Sequence, residues 1–188
     1  MQRTLTVILC LTVLTHLGAA ASLPVDSEHS QLTVRVFKSG IFSGFAHDHE
    51  ILAPVGSGII DADAPSVQIR FRADEMKVLD PKATRDDRAQ IQRTMLSEKV
   101  LDPARFPEIV FRSQSVTPQG ENKFLVIGEL TLHGATRTLA VPVSRTGHRY
   151  TGTVQVKQTD FGITPIKLFG GAVKVKDAVE ISFEIVSR

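Results

Sequence analysis

The densest cluster of side chains able to do chemistry is Gly44-Phe45-Ala46-His47-Asp48-His49-Glu50. Written as an extended strand, it places Phe45, His47, His49 and Ile51 on one face and Ala46, Asp48, Glu50 and Leu52 on the other, because strand side chains alternate. Two imidazoles at i and i+2 can both reach one metal ion. A stable site asks for a third protein ligand, and neither a Cys nor a carboxylate at a paired spacing supplies one here. His29, His133 and His148 lie far away in sequence and read as strand-end or turn residues. The same pair can instead serve as polar handles in an apolar cavity, hydrogen-bonding a ligand's head group, or simply cap a strand and bond backbone carbonyls.

Catalytic motifs are absent from the sequence. There is no G-x-S-x-G elbow, no H-E-x-x-H, no P-loop and no G-x-G-x-x-G. Asp61/Asp63 and Asp86/Asp87 have the character of turn and helix-start charges. Catalytic residues and cofactors are accordingly not assigned.

The aromatic inventory is lopsided: ten Phe, one Tyr and no Trp in 188 residues. Phe supplies large apolar surface without a polar tip, which suits a dry core or a hydrocarbon-lined pocket. Phe37, Phe42 and Phe45 precede the His pair, and Phe161 and Phe169 flank a glycine-rich stretch. With 42% hydrophobic and 22% charged residues, the chain has the composition of one globular domain. Its 22 basic and 20 acidic residues leave a formal net charge of +2 and are mixed along the chain, so no basic stripe points to nucleic acid. A single cysteine, Cys10, excludes zinc fingers and disulfide scaffolds.

Residues 1–21 have the layout of a secretory signal peptide: Arg3, an apolar run from Leu5 to Leu14, and the small residues Ala19-Ala20-Ala21. The run is too short to cross a bilayer, which takes about 20 apolar residues. Cleavage after Ala20 or Ala21 gives a mature domain over 22–188 that has lost Cys10, placed in the periplasm or secreted.

The elements that must position these residues are strands. Apolar side chains recur with period two in Leu32/Val34/Val36, Val67/Ile69/Phe71, Ile109/Phe111, Phe124/Val126/Gly128/Leu130/Leu132, Leu139/Val141/Val143, Val154/Val156 and Val179/Ile181/Phe183/Ile185. His133-Gly134 and Thr146-Gly147 mark tight hairpins, so the neighbours they join are antiparallel. One amphipathic helix is expected within 81–98, with Asp80-Pro81 as N-cap and first helical position and Thr84 with Asp87 as a weaker capping pair. Asp102-Pro103 is expected to start a single turn. An all-β chain of seven or eight such strands buries its apolar face as a sandwich or a closed barrel. Periodicity alone does not choose between them.

In its order of short motifs the chain resembles the YceI-like family of exported bacterial lipid-binding proteins. The resemblance runs through Val25-Asp26, His29-Ser30, Gly40-x-Phe42 and Phe106-Pro107-x-Ile109-x-Phe111-x-Ser113. It continues through Gly128-x-Leu130-x-Leu132-His133-Gly134-x-Thr136, Asp160-Phe161-Gly162-Ile163 and Lys176-Asp177-x-Val179-x-Ile181. It departs from the family at Thr94-Met95-Leu96-Ser97, where many members carry Arg-Asp followed by His-Leu, and at Gln158, where a basic residue is common.

The resemblance implies an eight-stranded antiparallel, lipocalin-like β-barrel with one helix inserted between strands. It implies a periplasmic or secreted binding protein, without catalysis, that holds a polyisoprenoid or fatty-acid-like lipid in the lumen. On that reading Leu32, Val34, Val36, Phe42, Phe45, Ile69, Phe71, Phe111 and Phe183 line the cavity, with His47 and His49 near its mouth. The competing reading is a metal carrier or metal-dependent enzyme built on His47 and His49. Transient membrane contact and pairing of two barrels into a homodimer are compatible with a lipid carrier.

Overall fold

The structure is a computed structural model that describes residues 22–39, 48–61 and 64–188. The segment 1–21, with Cys10 and the leader expectation, lies outside the described residues, as do Phe42, Phe45 and His47.

The described residues form eleven strands: β1 (Ser22–Pro24), β2 (Gln31–Ser39), β3 (His49–Asp61), β4 (Ser66–Arg72), β5 (Lys77–Val78), β6 (Glu108–Pro118), β7 (Lys123–Leu132), β8 (Ala135–Thr146), β9 (Arg149–Lys157), β10 (Lys167–Leu168) and β11 (Val173–Val186). The seven period-two runs are β2, β4, β6, β7, β8, β9 and β11, and β1, β3, β5 and β10 add to the seven or eight expected. Eight of them form a ring in the order β3-β2-β11-β9-β8-β7-β6-β4, and β4 returns to β3, so the sheet is a closed antiparallel barrel. Closure removes the edges a sandwich would leave exposed and resolves the choice left by periodicity.

β3 is the strand that makes closure work. Its first half pairs with β2 and, over Ile51 and Leu52, with β5. Its second half pairs with β4, and its last residues also with β1. The register slips between Val55 and Ser57, a bulge that lets one strand serve different neighbours at its two ends.

The hairpins follow their turn residues. His133 and Gly134 adopt φ values of +50° and +75° between β7 and β8, as a two-residue primed turn requires. Gly147 at φ +60° begins the β8–β9 turn. The β8–β9 ladder holds only three residue pairs, the shortest in the ring, and stops short of Pro142, which has no N–H to give.

Helix α1 (Arg85–Met95) lies inside the expected window, but its N-cap is Thr84, not Asp80. The Thr84 hydroxyl oxygen accepts the Asp87 N–H at 3.2 Å and the hydroxyl donates to the Asp87 carboxylate at 2.7 Å. The Asp80 carboxylate is occupied elsewhere: it accepts the Glu50 N–H at 2.7 Å and meets the His49 imidazole at 2.6 Å. A cap needs a side-chain oxygen aimed at the first helical N–H groups, and both Asp80 oxygens are turned to β3 instead. Gln92 clips the helix to the chain before and within β5, donating to the Met76 carbonyl and accepting the Val78 N–H, each at 2.8 Å.

One end of the barrel is filled. Ala73, Met76, Met95, Leu101, Phe161 and Ile163 are buried there, with Phe161 only 1% exposed. Many residues that carry the family resemblance meet at this end. The Phe106 ring packs against the His133 imidazole, tilted by 56° with centroids 4.5 Å apart, and the His133 Nδ1 lies 3.2 Å from the Phe161 carbonyl. A Cβ on Gly134 would come 2.6 Å from the Phe106 ring, so the ring seats directly under the turn. The Pro107 carbonyl accepts the Ala73 N–H at 3.0 Å. Asp102 starts the expected turn, its carbonyl accepting the N–H groups of Arg105 and Phe106. The side chain of Asp177 accepts both the N–H and the hydroxyl of Thr159, at 2.9 and 2.7 Å. Gln158, at the position where the family favours a basic residue, donates to the Lys176 carbonyl at 2.8 Å. Burying each of the larger apolar side chains here contributes roughly 1.5–3 kcal/mol. These motifs encode the barrel's closed end.

Candidate functional site

At the opposite end the inward side chains stop short of filling the lumen, leaving a cavity of about 220 Å³. All eight ring strands contribute to its wall: Leu32 from β2, Ile60 from β3, Ile69 and Phe71 from β4, Phe111 from β6, Val126 from β7, Leu139 and Val141 from β8, Val154 from β9, and Ile181 and Phe183 from β11. These are the inward members of the period-two runs, so the pleat itself makes the wall apolar. Two wall phenylalanines lie over glycines. A Cβ on Gly128 would sit 2.5 Å from the Phe111 ring, and a Cβ on Gly152 would sit 2.5 Å from the Phe183 ring. Each glycine clears the space into which an aromatic ring folds along the wall.

Polar lining residues belong to strand ends at the mouth: Asp61 closes β3, Ser66 opens β4, Arg145 lies near the end of β8 and Tyr150 near the start of β9. Asp61 accepts the Ala64 N–H at 2.8 Å, as a turn carboxylate does. Arg145 and Tyr150 are cross-strand partners, with the guanidinium carbon 5.8 Å from the centre of the phenol ring.

The sequence-derived site residues divide accordingly. Leu32, Ile69, Phe71, Phe111 and Phe183 lie on the cavity wall. Val34 and Val36, further along β2, pack against the core instead. Phe42, Phe45 and His47 lie outside the described residues. His49 opens β3, whereas Ile60 and Asp61 at the other end of that strand border the cavity. The imidazole therefore sits away from the mouth, where an expected head-group contact would need it. It is held by Asp80, whose side chain is 2% exposed and whose backbone carbonyl accepts from the Ala83 N–H and the Arg88 guanidinium. Asp48 accepts the Lys38 N–H at 3.0 Å.

Among the described residues no three His, Cys, Asp or Glu side chains gather as a metal site would need. The other histidines among the described residues lie at turns: His29 meets Asp26 at 3.0 Å, His133 supports the closed end, and His148 lies in the β8–β9 turn with its Nδ1 3.5 Å from the Ser187 hydroxyl. The His29 contact, with help from Arg188, holds the Asp26 carboxyl below its usual value.

Arg145 and Tyr150 are absent from the sequence-derived site. The one signal for Tyr150 was its solitude, as the single Tyr among ten Phe. The residues of β7, β8 and β9 that complete the wall were visible as alternating runs, but alternation does not say which length of a strand borders a void.

A closed eight-stranded antiparallel barrel, filled at one end and hollow at the other, with an apolar wall and a polar rim, has the architecture of the lipocalin-like β-barrels. Within that class the chain belongs to the YceI-like domain family, whose pattern matches residues 24–187. It is 32% identical over 110 residues to a UPF0312 protein of Pseudomonas savastanoi pv. phaseolicola, a match covering 53% of this chain and 55% of that protein. The chain thus spans about half the length of the first curated relatives it matches. A UPF0312 protein of Shewanella sp. strain ANA-3 is 26% identical over 165 residues, 78% of each chain. Among solved structures, BcnA of Burkholderia cenocepacia superposes with a TM-score of 0.63 at 21% identity, covering 87% of this chain and 99% of that one. A polyisoprenoid binding domain from Saccharophagus degradans, implicated in plant cell wall breakdown, gives 0.60 at 15% identity, covering 90% and 99%. At these identities the likeness is one of fold.

Proposed function

We propose that this protein is an exported, non-catalytic carrier that holds the apolar chain of an isoprenoid or fatty-acid-like lipid in the open end of its barrel. The observation that carries the reading is the cavity itself: an apolar wall drawn from every ring strand, reached through a polar mouth. Membership of the YceI-like family supports it, as does the fold shared with a polyisoprenoid binding domain.

The volume sets the scale of the bound segment. At roughly 30 Å³ per methylene-sized group, taking the space a water molecule occupies as the measure, the void seats about seven such groups. At about 0.8 kcal/mol per buried methylene, that segment contributes on the order of 6 kcal/mol of transfer free energy. A longer chain leaves its remainder in the mouth or displaces the half-buried wall side chains. The metal reading has less to stand on, because His49 is engaged by one buried carboxylate and a two-group pair is short of a metal's ligand set.

Organic extraction of the protein purified from its native envelope, followed by mass spectrometry, tests the reading. A reproducible isoprenoid or acyl lipid near one equivalent is the expected result. A protein that is repeatedly empty and takes up neither lipid class contradicts it. N-terminal sequencing of the exported form is expected to begin near Ser22. Contact with membranes during exchange and pairing of barrels are read by vesicle flotation and by sedimentation.

A further inference from the structure

The mouth carries a charge that the closed barrel does not use. Three arginines cluster among the strand ends there, and two are paired: Arg149 with Glu184, and Arg188 with Asp26 at 3.5 Å. Arg145 has no carboxylate partner among the described residues. Its Nε donates to the Gly147 carbonyl at 2.9 Å, and its own backbone N–H donates to the Asn122 carbonyl at 2.8 Å. The Nε bond, with the Tyr150 ring beside it, holds the guanidinium while its two terminal nitrogens have no partner among the described residues. The Tyr150 hydroxyl likewise makes no hydrogen bond within the described residues. Both side chains border the cavity.

Resting on the carrier reading above, we infer that Arg145, braced by Tyr150, is the head-group anchor of this cavity, and that the ligand is an amphiphile with an anionic head, a carboxylate or a phosphate. A guanidinium presents a planar fork of donors that matches either group, remains charged at any ordinary pH, and gains strength at the edge of an apolar cavity. The phenol adds a donor beside it. Asp61, the one carboxylate on the lining among the described residues, ends β3, and β3 lies four places from β8 in the ring of eight. The anion therefore meets the cation on one side of the mouth, with the carboxylate across the barrel.

The test compares decanoate, decyl phosphate and 1-decanol by titration calorimetry on the full mature barrel and on Arg145→Gln, a change at an exposed side chain. The two anionic probes are expected to bind about ten- to a hundredfold more tightly than the alcohol at pH 7.5, the size of a charge-assisted hydrogen bond. Arg145→Gln is expected to erase that difference by weakening the two anions to the level of the alcohol. Whichever anion binds better names the head group. Equal binding of all three probes, unaffected by Arg145→Gln, overturns the anchor and leaves the carrier reading standing. Failure of all three to bind overturns the carrier reading instead.

Discussion

Phe183 on β11 pairs directly across the ladder with Gly152 on β9, and its ring occupies the space that a Gly152 side chain would fill. A Cβ at residue 152 would lie 2.5 Å from the ring and 2.4 Å from the Pro142 carbonyl oxygen. This pair joins the cavity wall to the shortest ladder of the ring, that between β8 and β9. Gly152→Ala is therefore expected to destabilise the barrel by about 1–3 kcal/mol, the usual cost of overpacking. It should also change ligand capacity, because the ring must turn into the cavity. Urea denaturation checks the first effect and lipid titration the second. A variant as stable as wild type would mean that Phe183 has room to move.

Removing that ring should act in the opposite direction on volume. Phe183→Ala enlarges the cavity and is expected to cost about 3–5 kcal/mol where the wall cannot collapse. Added lipid should restore more stability to this variant than to the wild type, since a ligand that binds only the folded state stabilises it. Thermal unfolding with and without decanoate reads the difference.

The His49–Asp80 pair separates architecture from binding. Asp80→Ala leaves the Glu50 N–H and the His49 imidazole without their buried acceptor, at an expected cost of about 1–3 kcal/mol. Because this pair lies at the far end of β3 from the mouth, affinity for a decyl chain measured on the folded fraction should stay within about twofold, a change of less than half a kcal/mol. A large loss of affinity would place His49 in the binding machinery after all.

Acid should loosen the closed end at Asp177. Hydrogen bonds from the Thr159 N–H and hydroxyl hold the Asp177 carboxyl below its ordinary value of 3.8. A carboxyl whose folded-state value is lowered lends its stability in full above the ordinary value, and that contribution is lost as pH falls through the lowered one. The stability gap between wild type and Asp177→Ala is thus expected to be constant near neutrality and to shrink below about pH 4. Thermal midpoints measured from pH 7 to pH 2.5 report it. A gap that persists unchanged at the acid end would remove Asp177 from this role.

Much of the barrel was legible in the sequence because period two is a direct consequence of the pleat. Val67/Ile69/Phe71 and Val179/Ile181/Phe183 could take few other shapes, and His133-Gly134 announced its own turn. The sequence offers two starts for the helix, at Asp80 and at Thr84, and only the fold reveals that Asp80 is bonded to β3 and that Thr84 is the cap. The cavity wall was half legible for a related reason. Alternation identifies the inward face of β2, yet the fold alone determines that Leu32 reaches the cavity while Val34 and Val36 meet the core. Likewise the family-like motifs around Phe106, His133 and Phe161 gave the architecture, whereas Arg145 and Tyr150 at the mouth belong to no motif.

The central claim, that the hollow end of the barrel is the seat of an apolar chain, is tested most directly by filling it. Val154 lies on the wall on the same face of β9 as Tyr150, and Val154→Trp places an indole in the void. Native mass spectrometry of wild type and variant, each incubated with decanoate, is expected to show one bound chain on the wild type and none on the variant, with matching circular dichroism. A folded Val154→Trp protein that still carries one decanoate would show that the chain sits elsewhere.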